Sequence, residues 1–252
     1  NDGFMYIEGL VHLSQTLFAM AKTYDDAGGA PVVTQIDGGG AMNSKTADKF
    51  YAARNTKKIV TVHHWQHGKC ERKHMIKSMA RAMMSAAGAP TSFWYLAVRH
   101  AVLISNVILP ARDEHGKTIG GTVWEAHYGV KPRVQDLLLG PWGCLASLIM
   151  TEEQRQKQHK KRGETKHWGV RAISGIYVGS YCDPQTLVFK HLMTDGRSIY
   201  ASAGQIKVVG DVYPLRLQVA RDLALRWGSE DRESGDDDHQ EVTFTLSEHW
   251  AE

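Results

Sequence analysis

The sequence predicts an α/β fold: a layered α/β domain, then a small all-β unit, then an acidic tail. Three observations carry this. Short β-branched runs alternate with helical patterns over residues 4–63, in the order β-α-β-α-β. From residue 172 the period changes to short strands parted by Asp183-Pro184 and Asp195-Gly196 turns. Residues 229–241 hold seven acids and one Arg, a composition that cannot bury a core and reads as a disordered linker.

The elements follow in order. Residues 4–10 read as a first strand, short and apolar in alternation. Ser14 is placed to cap a helix through Tyr24, which Gly28 and Gly29 end. Residues 31–36 are β-branched and read as a strand that stops at Asp37, before Gly38, Gly39 and Gly40. Asn43 or Ser44 caps a helix to about Arg54, and residues 58–63 form a third strand. From Glu71 to Ala87 the pattern is helical, with Met75, Met79 and Met83 beside Ile76 and Ala80 as a core-facing stripe. Gly88 and Pro90 stop it. Thr91 then caps an apolar helix that ends at Pro110, and after a polar loop residues 123–128 form a short helix. The run 152–166 is a polar, basic seam. Residues 144–150, 172–181, 187–192, 198–202 and 205–209 are the strands of a small antiparallel barrel or sandwich, and residues 215–227 are helical.

Composition bounds the rest. The 252 residues are 42% hydrophobic and 23% charged, which excludes a wholly disordered or fibrous chain and leaves room for one large or two small domains. Thirty Lys and Arg against 27 acids give a net charge of +3, a mildly basic balance that suits a nucleic-acid partner without requiring one. Cys70, Cys144 and Cys182 are odd in number and far apart, which argues for a reducing compartment and against a disulfide framework. The best apolar stretch, 101–109, is broken by Ser105 and Asn106, so no membrane-spanning helix is expected. No signal peptide opens the chain; it starts at Asn1 on an apolar run and reads as a piece of something longer.

Two carboxylates stand out. Asp37 follows a strand at the lip of an α/β sheet, where ligand sites gather. Glu71 opens a helix, where the dipole favours an acid. Taken singly, Asp37 is a turn former and Glu71 a capping acid. Together on converging elements they suit Mg²⁺, which takes one or two carboxylates plus water and phosphate oxygens. Residues 63–74 hold four of the thirteen histidines and one Cys. His63 or His64 with His67, Cys70 and His74 are zinc ligands by type, but their spacing fits no zinc pattern. A basic, aromatic-bearing nucleic-acid loop fits the run better. The second basic run holds Arg155, Lys157, Lys160, Lys161 and Arg162; it is either a solvated segment or a phosphate contact.

The motifs in sequence order resemble the integrase of copia-type retrotransposon Pol polyproteins. Residues 34–42, Thr-Gln-Ile-Asp-Gly-Gly-Gly-Ala-Met, look like its Asp-Asn-Gly-Gly-Glu-Phe motif. Residues 65–74, Trp-Gln-His-Gly-Lys-Cys-Glu-Arg-Lys-His, resemble its Gln-Gln-Asn-Gly-x-Ala-Glu-Arg-x-Asn motif. Residues 79–84, Phe93-Trp94, Ala97-Val98 and Asn106 resemble the helices that follow. Residues 124–132 are similar to its Glu-x-Trp-x-Gly-x-Lys-Pro segment. Residues 175–181, Gly-Ile-Tyr-Val-Gly-Ser-Tyr, look like the Gly-x-Phe-x-Gly-Tyr strand of a Src-homology-3-like barrel downstream. The resemblance covers roughly residues 3–214.

The resemblance implies a ribonuclease-H-like core, here lacking its first strand, over residues 1–135. A small all-β barrel follows over 140–214, and a helix with an acidic linker over 215–252. It implies 3′-processing and strand transfer with two Mg²⁺ or Mn²⁺ ions. Asp37 and Glu71 match the second and third metal-binding acids; the first belongs upstream of Asn1, since Asp2 falls in the wrong place. Lys69, Arg72, Lys73 and His67, with Lys160, Lys161 and Arg162, are the expected DNA contacts. Element ends and target DNA are the implied partners, with self-association and nuclear work after a cytoplasmic particle stage. Departures are plain: Gly38, Ala41 and Met42 replace the motif's Asn, Glu and Phe, His67 and His74 replace Asn, and His64 stands at a Pro position. They leave a second reading open, a catalytically dead DNA-binding relic. A third is a self-association module.

Overall fold

The computed structural model describes residues 4–5, 15–36, 42–60, 68–113, 117–162, 171–180, 186–191 and 198–219. They form two compact units, divided between Ile76 and Lys77.

The first unit is a β-α-β arrangement with a helix before it. Helix α1 (Thr16–Asp26) precedes strand β1 (Val33–Ile36); α2 (Lys45–Ala52) leads to β2 (Lys57–Val60). The two strands are parallel, from Val33 opposite Lys57 to Ile36 opposite Val60, so their carboxyl ends are level. Ser44 caps α2 as expected, its Oγ accepting from Ala47 N at 3.2 Å. Ser14 lies outside the described residues, and the residue before α1 is Gln15, whose side chain makes no cap bond; the expected Ser14 cap is corrected to that extent. Ile36, Ala47 and Tyr51 form the core, with Leu17, Met20, Met42 and Phe50 against it. Thr56 ties the unit together: its N–H donates to Tyr51 O at 3.0 Å and its hydroxyl to Pro31 O at 2.8 Å. Of the expected first strand, Phe4 and Met5 are irregular and residues 6–10 lie outside the described set.

Helix α3 (Gly68–Ala87) is longer than the 71–87 expected. Its methionine stripe is half-buried, flanking the buried Ile76 and Ala80. Gly88 stops it at φ +63°, a conformation that costs a residue with Cβ.

In the second unit, after α3, a 3-10 turn, Thr91–Phe93, runs into α4 (Trp94–Ile108). Thr91 is not its cap. The position before the turn is Pro90, and no side-chain cap bond forms, so the start is set by proline's fixed φ and the turn itself. The polar loop after α4 holds an unforeseen hairpin, β3 (Pro110–Arg112) and β4 (Thr118–Thr122). Helix α5 (Val123–Tyr128) falls where the sequence predicts, and its Thr122 cap accepts from Glu125 N at 3.2 Å. A single turn, α6 (Val134–Leu137), follows.

Strands β5 (Leu145–Ile149), β6 (Ala172–Ser180), β7 (Thr186–His191), β8 (Ser198–Ser202) and β9 (Ile206–Val209) make one antiparallel sheet in the order β8-β7-β6-β5-β9. The edges β8 and β9 are consecutive, joined by the 3-10 turn Ala203–Gln205. In a flat sheet they would stand four strand spacings apart, about 19 Å. The four Cα steps from Ser202 to Ile206 reach at most about 15 Å. The sheet therefore curls. Its concave side buries Cys144, Ala146, Leu148, Tyr177, Ala201 and Ile206 in one cluster drawn from both edges and the centre. The other side of β6 meets α4: Ile176 and Val178 share a core with Ala80, Ala87, Phe93, Ala97, Trp142 and Leu215. That core runs across residues 135–140, the division expected from the resemblance.

The basic seam is α7 (Glu152–Arg162), a helix inside the β5–β6 connection. Thr151 and Gln154 make a reciprocal box: Thr151 N donates to Gln154 Oε1 at 2.9 Å, and Gln154 N to Thr151 Oγ1 at 3.4 Å. Glu152 and Glu153 occupy the first turn and Arg155 pairs with Glu152. The helix after β9 begins at residue 214, and its residues to 219 are described; the acidic run 229–241 lies outside.

Candidate metal and nucleic-acid site

β1 and β2 finish level at Ile36 and Val60, and Asp37 follows Ile36 in sequence. It and residues 38–41 lie outside the described residues, as do 61–67 with His63, His64 and His67. Glu71 stands in the first turn of α3, where unpaired N–H groups favour an anion. The side chains of Glu71, Lys69 and Cys70 are outside the described set; Arg72 is half-buried, Lys73 and His74 exposed. Lys69, Glu71, Arg72 and Lys73 thus share the opening turns of one helix. Lys160, Lys161 and Arg162 belong to α7 in the other unit; Lys160 is exposed, and the other two side chains are outside the described set. Among the described residues, no three His, Cys, Asp or Glu side chains gather to hold a metal ion. Carboxylate oxygens at positions 37 and 71 are the donor type a hard divalent cation takes.

One buried polar node was not foreseen. His100 on α4 is buried against the edge of Tyr177 on β6, ring centroids 5.8 Å apart at 85°. Among the described residues its Nδ1 has no hydrogen-bond partner, and burial lowers its pKa to about 4. Beside it Gly179 sits at φ +96°, and a Cβ there would clash with His100 Nδ1. The second glycine of the Gly-Ile-Tyr-Val-Gly-Ser run is therefore a packing requirement. Tyr177 and Ser180 both donate to Leu137 O, at 3.1 and 2.6 Å, and tie the turn of α6 to the sheet. Burial holds the Tyr177 hydroxyl above its ordinary range. It also pushes the free Cys144 thiol up to about 11, an inert state.

No family model matches the chain, and no curated protein does. Solved structures do. One is the HTLV-2 integrase catalytic core domain in complex with magnesium, in a trimeric form. It is 21% identical, with a TM-score of 0.34 over 46% of this chain and 70% of that one. Another is the simian T-cell lymphotropic virus intasome in complex with the PP2A regulatory subunit B56 gamma. It is 12% identical, with a TM-score of 0.37 over 80% of this chain and 66% of that one. The chain's own architecture is mixed α/β, a parallel strand pair in one unit and a curled antiparallel sheet in the other.

Proposed function

We propose that this chain is a segment of a DNA integrase of the copia type, with Asp37 and Glu71 as ligands for Mg²⁺ or Mn²⁺. The observation that carries the reading is the parallel, end-aligned pair β1–β2. β1 ends at Ile36, one residue before Asp37 in sequence, and α3, which opens at Gly68, includes position 71; both support the reading. When bound, the metal ions would supply activation of the attacking oxygen and charge neutralisation at the leaving one. The chain's own groups do the rest: Lys69, Arg72, Lys73 and His67 hold phosphate near the acids, and Lys160, Lys161 and Arg162 hold DNA elsewhere. The curled five-strand sheet supports reading its C-terminal part as the small barrel. Its work would be on nuclear DNA, in a multimer.

The first test is Mn²⁺ titration by calorimetry on this chain. A carboxylate site predicts binding that Asp37→Asn or Glu71→Gln weakens at least tenfold. The second is metal-dependent strand transfer by the chain extended upstream to its first acid, abolished by Glu71→Gln. No metal binding and no transfer would sink the enzymatic reading. Gly38, Ala41 and Met42 favour a second reading, a relic that binds DNA without metal. Its signature is DNA binding unchanged by chelation and steeply weakened by salt.

A further inference from the structure

Position 58 breaks the pattern of its strand. Successive residues of a strand point to opposite faces, so Lys58 shares a face with Thr34, its partner across the β1–β2 pair. That face is the covered one. Thr34 Oγ1 lies 2.7 Å from the hydroxyl of the buried Tyr24, and Ile36, two residues on, is in the core with Ala47 and Tyr51. A β-branched apolar side chain would suit such a place. The residue there is a lysine whose side chain is 18% exposed.

Lysine is seldom so covered unless its ammonium is partnered. Lys58 Nζ donates to Asn43 Oδ1 at 3.0 Å and pairs with Asp48 in the first turn of α2. The Asp48 side chain is exposed, and an ion pair with one member in water adds little to stability. The bond to Asn43 does what an apolar residue could not. Asn43 stands between Met42, which packs against the core, and Ser44, which caps α2. Three consecutive residues are thus held, each by a different means. In sequence, residues 37–41 join this anchored run to the buried Ile36. Fixing both ends of a connection lowers the entropy it must still lose to order. The first residue of this one is Asp37.

We propose that Lys58 is a positioning residue for the metal site, acting through Asn43 on the connection that carries Asp37. The inference rests on the reading of Asp37 as a ligand for Mg²⁺ or Mn²⁺. As a cation, Lys58 is no ligand itself; it holds the groups behind one. Every residue it uses lies in the first unit.

The test is Mn²⁺ titration of the full chain by calorimetry, with thermal unfolding of each variant. Lys58→Met keeps the apolar stem and removes the donor. It is expected to weaken Mn²⁺ binding roughly tenfold, as loss of an outer-shell partner does. Asn43→Ala is expected to do the same. Lys58→Arg keeps a donor and should recover most of the affinity. Asp48→Asn breaks the ion pair and leaves the Asn43 bond. It should lower the melting temperature at least as far as Lys58→Met does, yet keep the affinity. A lysine that only staples β2 to α2 would not separate affinity from stability in this way. If Asp48→Asn weakens Mn²⁺ binding as much as Asn43→Ala, general loosening is the cause and the proposal is overturned. If Asp37→Asn weakens binding and Lys58→Met does not, the proposal fails while the ligand reading stands. If the parent binds no Mn²⁺, or Asp37→Asn leaves its affinity unchanged, the ligand reading fails and the proposal falls with it.

Discussion

His100 ties stability to pH. Its folded pKa is lowered to about 4 from 6.5 by burial. In the unfolded chain it takes up a proton at higher pH than in the folded one. Its contribution is therefore fully present above pH 6.5 and is lost as pH falls toward 4. Across that window the effect is at most about 3 kcal/mol. The melting temperature is expected to fall across that window. His100→Phe keeps a ring against Tyr177 and cannot protonate, so the fall should flatten; a variant as acid-sensitive as the parent would place the cause elsewhere. Gly179 makes the neighbouring case. Alanine there meets both the +96° backbone and the His100 ring, and should cost about 3 kcal/mol by thermal unfolding. Neither residue announces itself in sequence. A glycine can be read as a turn or a bulge from its neighbours, but only the partner across the fold shows that its missing Cβ makes room for a histidine.

At the scale of elements, legibility followed local chemistry. Ser44 and α5 were readable because cap and apolar period lie side by side in sequence. The strands of the curled sheet were readable because each is short, β-branched and bounded by turn residues. Helix α7 was missed although its signal was present: Thr151 and Gln154 are a capping box, with two acids in the first turn. With no apolar stripe it lacks the periodicity that marks a helix. A helix with so little burial depends on its cap. Thr151→Ala should destabilise it by about 1 kcal/mol. The check is hydrogen exchange: amides of α7 should lose roughly fivefold in protection while those of β5 and β6 keep theirs. Equal loss in all three would mean that the box serves the sheet and not the helix. The β3–β4 hairpin was missed for the opposite reason: Gly120 and Gly121 within β4 remove the β-branched signal a strand usually carries.

At the scale of the molecule, the two units differ in how much they bury. Among the described residues, the first unit's core cluster is Ile36, Ala47 and Tyr51, with Ala19, Tyr24 and Ile76 also buried, and its two strands leave Val33, Ile59 and Val60 exposed. The second has two clusters that share β6, one on each face of a curled sheet. The sequence showed most of the helices and strands of both but not this imbalance, because burial is a property of what meets an element rather than of its own residues. Amide protection follows burial and backbone pairing, so openings should be cheaper in the first unit than in the second. Native-state hydrogen exchange under rising denaturant should show β1 and β2 exchanging by sub-global opening, while β5 and β6 exchange only with global unfolding. Tyr51→Ala should then open the first unit and leave exchange at Ile176 and Tyr177 unaltered. If Tyr51→Ala lowers protection in β6 by the same factor as in β1, the chain unfolds as a single cooperative body, and the position-37 strand end owes its stability to the larger unit's core. The distinction matters for the proposed chemistry. A sheet end that opens cheaply can order when metal and DNA arrive, whereas one locked into the global fold must hold its carboxylates in place before they bind.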